Sequence, residues 1–75
     1  MPKFSPVSYK TLARVFEADG FRCVRQEGDH LVFTKPGCTR PVVIPKCASV
    51  PVFIIKNNLR TASMPRERYF RLLSR

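Results

Sequence analysis

Two dipeptides bracket one short apolar segment: Gly28-Asp29 stands just before "HLVFTK", and Pro36-Gly37 stands directly after it. Gly-Asp suits a two-residue hairpin, whose tight turn needs a positive φ that glycine supplies without steric cost. In Pro-Gly the proline presets the first central residue of a turn and the glycine fits the second. The flanking stretches, "FRCVRQE" and "RPVVIP", are short and rich in strand-forming residues. Three strands joined by two tight turns can only be antiparallel neighbours, because a parallel crossover needs a dozen or more residues. Pro41 and Pro45 fit the ends or the edge of such a sheet, where a missing N–H costs nothing. Within the middle strand, alternation places Leu31 and Phe33 on one face and His30, Val32 and Thr34 on the other. In the third strand, Val42 and Ile44 share a face opposite Val43.

Helical patterns lie on both sides of this meander. Ser8 can cap a helix in which Tyr9, Leu12, Ala13 and Phe16 form one apolar stripe, and Asp19-Gly20 ends it. After "KCAS", Pro51 suits the first turn of a second helix whose inward stripe is Val52, Ile55, Leu59 and Ala62. Ser63 to Pro65 interrupts the chain, and "RERYFRLL" predicts a last short helix with Tyr69, Leu72 and Leu73 inward. Phe53 and Phe70 are assigned to the core by default; an exposed one would mark a partner surface. The predicted order is α-β-β-β-α with a terminal helical segment. This is an α+β protein with a three-stranded antiparallel sheet and helices on one face. A chain of 75 residues predicts a single domain spanning 1–75.

Fourteen Lys and Arg against five Asp and Glu leave a net charge of +9. Such an excess on a small domain predicts a polyanionic partner: a nucleic acid or an acidic protein. The basic residues are spread along the chain rather than along one helix face, which does not suit a membrane-surface helix. No apolar run approaches the roughly 18 residues of a membrane span. The start, "MPKFSPVSYK", lacks the apolar core of an export signal, so a cytoplasmic protein is expected. The cations expected near a bound nucleic acid are Lys10, Arg25, Lys35, Arg40, Lys46 and Lys56. Arg66, Arg68, Arg71 and Arg75 are expected to face solvent or an acidic partner.

The three cysteines, Cys23, Cys38 and Cys47, are odd in number and lack a C-x-x-C pair. They are expected to be buried or half-buried free thiols rather than a disulfide framework or, with His30, a zinc site. Neither metal nor cofactor is expected.

The stretches "SYKTLARVFEADGFRCVRQEGDHLVF", "VVIPK" and "VPVFIIKNNLRTASMPRERYFRLL" together resemble the HicA toxins of bacterial type II toxin–antitoxin systems. The sharpest part is Gly20-Phe21, Arg25-Gln26 and Gly28-x-His30, which is similar to the family signature G-F…R-Q-x-G-S-H. The resemblance implies a double-stranded-RNA-binding-domain-like fold and an mRNA interferase, held inactive by a HicB-like antitoxin. It also implies that His30, the only histidine of the chain, is the catalytic residue. Asp29 stands where the family usually has Ser, and Cys47 where a further histidine is common. Phe53-Ile54-Ile55 stands where the second helix usually starts Gly-Thr-Leu.

The chemistry asks for little else. Cleavage without metal needs a base to take the proton of a 2′-hydroxyl, and imidazole serves near neutral pH. The proton for the leaving oxygen can come from Lys, Arg, water or His30 itself. Gly28 and Asp29 are expected to form the turn that supports the site. Asp29 is a turn former rather than the partner of a dyad, because adjacent strand residues point to opposite faces. An acidic antitoxin is expected to cover the His30 face. A non-catalytic RNA-binding module of the same fold is the alternative, and a protein-binding inhibitory domain is a third reading.

Overall fold

The computed structural model describes residues 3–75. Helix α1 (Tyr9–Ala18) leads into strands β1 (Arg22–Glu27), β2 (His30–Thr34) and β3 (Val42–Pro45), followed by helices α2 (Val52–Ala62) and α3 (Arg66–Leu73). The strands form one antiparallel sheet in the order β1-β2-β3. This is the predicted α-β-β-β-α order, with α3 as a third helix.

Both turns form as their residues require. Gly28 has φ +59 and Asp29 has negative φ, so the glycine alone carries the left-handed backbone of the β1–β2 turn. At the second turn the Cys38 N–H donates to the Lys35 carbonyl at 3.0 Å. Gly37, at φ +87, occupies the position where that turn demands glycine. The third strand begins at Val42 rather than Arg40, so Pro41 lies before it and interrupts no ladder.

The helix ends follow local chemistry. Ser8 Oγ accepts the Thr11 N–H at 3.2 Å, capping α1. The end of α2 is closed by Ser63 in the left-handed region, φ 54, with the Met64 N–H donating to the Leu59 carbonyl at 2.9 Å.

The core lies between the helices and one face of the sheet. It joins Leu12, Val15 and Phe16 of α1, Phe33, Val42 and Ile44 of the sheet, Ile55 and Leu59 of α2, and Tyr69 and Leu72 of α3. Leu31 packs against it from the same face as Phe33. Phe21 meets Phe16 edge-on, with centroids 5.4 Å apart.

Four expectations need correction. In α1 the fully buried stripe includes Val15, while Tyr9 and Ala13 are only partly buried. In α2 Val52 is half-buried, and the polar Asn58 takes a buried place between Ile55 and Leu59. Phe53, assigned to the core, is 67% exposed, because Ile55, Asn58 and Leu59 define the inward face and Phe53 lies off it. Phe70 does pack against the core. Finally, Cys23 is exposed rather than buried, while Cys38 and Cys47 are partly buried as free thiols. Cys23 sits on β1, all six residues of which are exposed, since the helices cover β2 and β3 instead.

Candidate functional site: the His30 hairpin

His30 opens β2 at the tip of the β1–β2 hairpin and is exposed. Its register partners are Glu27 on β1 and Pro45 on β3. Paired residues share a face, as do residues two apart, so Arg25, Glu27, His30, Val32, Val43 and Pro45 all lie on the side away from the helices. This face is not wholly polar. Val32 is only 5% exposed although it is turned from the core, being flanked by Arg25 on one strand and Val43 on the other.

The hairpin tip is held from two directions. Gln26 Nε2 donates to the Gly28 carbonyl at 3.1 Å, bracing the turn from β1. The Asp29 carbonyl accepts the Lys46 N–H at 2.6 Å, tying the turn to the end of β3. Gly28 and Asp29 therefore form the turn as expected. Asp29 acts through its backbone, and its carboxylate has no hydrogen-bond or ion-pair partner among the described residues. The bracing role of Gln26 was not foreseen; its position two residues before Gly28 was the available signal.

Backbone contacts then bring the helix starts to this end of the sheet. The Tyr9 N–H donates to the Cys47 carbonyl at 3.1 Å, so α1 begins beside the residue that follows Lys46. Val7 and Val50 form an isolated bridge, with the Val50 N–H on the Val7 carbonyl at 2.7 Å, which places the start of α2 alongside. Neither helix has an acidic residue in its first turn, so both N-terminal dipoles add positive potential here.

Five of the six predicted cations divide between the two ends of the sheet. Lys10 in the first turn of α1, Arg25 on β1 and Lys46 after β3 are exposed at or near the His30 end. Lys35 lies at the other end of β2, about 17 Å away by the rise of a strand. Its Nζ is 3.3 Å from Asp19 Oδ2 and 5.4 Å from the Phe21 ring centroid. Arg40 is in the β2–β3 loop at that same far end. Lys56 lies on α2 with its Nζ 5.3 Å from the centroid of Phe4. Arg25 is engaged as well: its Nε is 2.6 Å from Glu27 Oε2.

Among the described residues, no group of three or more His, Cys, Asp or Glu side chains comes together as metal ligands would. No helix among them is long and apolar enough to cross a membrane.

A three-stranded antiparallel sheet with helices on one face, in α-β-β-β-α order, defines a small α+β protein of the double-stranded-RNA-binding-domain-like class. The family model of the HicA toxin of bacterial toxin–antitoxin systems matches residues 9–64, the span from the start of α1 to just beyond α2. The chain belongs to the HicA toxin family and is the toxin member of a toxin–antitoxin pair. Comparison with curated proteins finds no match, and comparison with solved structures finds none.

Proposed function

We infer that this toxin is a metal-independent endoribonuclease that cleaves mRNA in the cytoplasm, with His30 as its catalytic residue. The observation that carries the reading is the position of the chain's one histidine. It is solvent-exposed at a braced hairpin tip, inside the family match, with Arg25 on its own face of the sheet and Lys46 and the start of α1 at the same end. A neutral imidazole at this position accepts the 2′-hydroxyl proton as a general base. The freed oxygen attacks the adjacent phosphorus, and the 5′-oxygen leaves with a proton. Arg25, Lys46 and Lys10 supply positive charge where negative charge grows in the transition state. Lys56 extends the RNA-binding set, and Lys35 and Arg40 would meet RNA only where it runs along the sheet to the far end. With no tryptophan and few stacking platforms, low sequence selectivity follows.

The partner that restrains the toxin is read as an acidic, HicB-like protein covering the His30 face. A surface with net charge +9 steers such a partner, so the association rate should fall steeply with salt. A complex that left His30 open would overturn inhibition by direct blocking.

The test of the activity is incubation of the purified chain with RNA in excess EDTA. Cleavage should persist, leaving 2′,3′-cyclic phosphate or 3′-phosphate ends. Products ending in 3′-hydroxyl would mean that water attacks and would overturn the mechanism. Binding without cleavage would leave the alternative, an RNA-binding module.

A further inference from the structure

The Arg25–Glu27 pair lies where RNA must arrive if the reading above holds. Arg25 and Glu27 are two residues apart on β1, and Glu27 is the direct register partner of His30. All three side chains therefore share one face of the hairpin. Arg25 Nε meets Glu27 Oε2 at 2.6 Å, yet the two side chains are 62% and 61% exposed. An exposed pair of this kind shifts an equilibrium only about two- to fivefold, so it can be exchanged readily. A carboxylate and a phosphate compete for the same guanidinium donors.

We propose that Glu27 is an internal substitute for an RNA phosphate: in the free toxin it occupies Arg25, and RNA must displace it before a phosphate can rest beside His30. The inference rests on the RNA reading above and adds to it a residue that lowers substrate affinity. The charged groups near His30 are Arg25 and Glu27 from β1, Asp29 from the turn, Lys46 just after β3, and Lys10 from the first turn of α1. Of the two carboxylates, only Glu27 is bound to a cation. It is therefore Glu27, not Asp29, that ties up a phosphate-binding group.

The experiment measures binding of a short single-stranded RNA as a function of salt, in a His30→Ala background so that the RNA survives. Glu27→Gln should tighten binding about two- to fivefold. It should also steepen the slope of log K against log salt by about 0.7, the increment for one further phosphate contact to a single strand. In an Arg25→Gln background the same change should have little effect. Glu17→Gln, which removes an exposed carboxylate from α1, reports the effect of net charge alone. All of these positions are exposed, so unfolding temperatures should not move and would reveal a variant that misfolds. Equal tightening by Glu17→Gln, persistence of the gain without Arg25, or no change on Glu27→Gln would each overturn the proposal while leaving RNA binding intact. Failure of the His30→Ala protein to bind RNA even at low salt would instead overturn the RNA reading itself.

Discussion

Arg68 reaches from α3 back to Asp19, the residue that closes α1, with its Nε 2.9 Å from Asp19 Oδ1. Lys35 approaches the other oxygen of the same carboxylate at 3.3 Å. The Asp19 side chain is only 3% exposed, so this carboxylate is a buried anion shared by the end of α1, the end of β2 and the last helix. Asp19→Ala should cost about 1–3 kcal/mol. The loss stays in that range because both cations retain access to water and can be solvated again. Urea unfolding of the single and double variants with Arg68→Ala should give clearly non-additive changes. Additive changes would mean that α3 is held by its apolar contacts alone.

Tyr69 is 1% exposed and stacks with Phe4, centroids 5.5 Å apart, but its hydroxyl has no hydrogen-bond partner among the described residues. Tyr69→Phe should therefore be neutral or stabilising by up to about 1 kcal/mol, since it removes a desolvated polar group without changing shape. Burial also raises the Tyr69 pKa above its ordinary value of 10.0. Above about pH 10 the unfolded chain would release this proton while the folded chain keeps it, so stability falls as pH rises there. The wild-type protein should lose stability more steeply than Tyr69→Phe in alkaline thermal melts. Parallel curves would contradict the assignment.

Gly28→Ala tests the hairpin tip. A Cβ at Gly28 would meet nothing within 4 Å, so the cost comes only from its φ of +59. That cost is about 1–2 kcal/mol for an ordinary L-residue, and Gly28→Asn should recover part of it. Because the turn carries His30, RNA cleavage should fall more than stability does. An alanine variant with unchanged cleavage would show that the turn need not be fixed.

His30→Ala should fold as well as the parent, losing well under about 2 kcal/mol, because the ring is exposed at a strand start. Its cleavage rate should drop by about 10²–10⁴, the usual contribution of a general base. Cleavage and thermal unfolding measured on one preparation decide the matter. A folded variant cutting RNA at the parental rate would remove His30 from the mechanism.

The turns and helix caps were legible because each is set by residues within four positions of one another. Gly28, Gly37 and Ser8 behave as their local chemistry demands. The placement of Leu31 and Phe33 toward the core followed from alternation alone. Less legible was anything fixed by distant partners. The cations on Asp19 are Lys35 and Arg68, far away in sequence, and nothing near "EADG" announces them. Phe53 was misjudged because its size outweighed its position off the buried stripe of α2. At the candidate site, the signature singled out His30 for proposal, whereas the engagement of Arg25 by Glu27 depends on side-chain geometry that the order of residues does not display.

The register of β1 against β2 shifts between Cys23 and Arg25, leaving Val24 as an extra residue on the outermost strand, 55% exposed. Its consequence concerns association between copies of the chain. A flat outer strand invites a second molecule to pair along it and begin an aggregate. Here the bulge twists that edge, and Arg22, Arg25 and Glu27 would have to lose much of their hydration. The opposite border of the sheet is only four residues long and ends in Pro45, which has no N–H to offer. Edge-to-edge polymerisation is thereby discouraged on both sides, even while one whole strand stands uncovered.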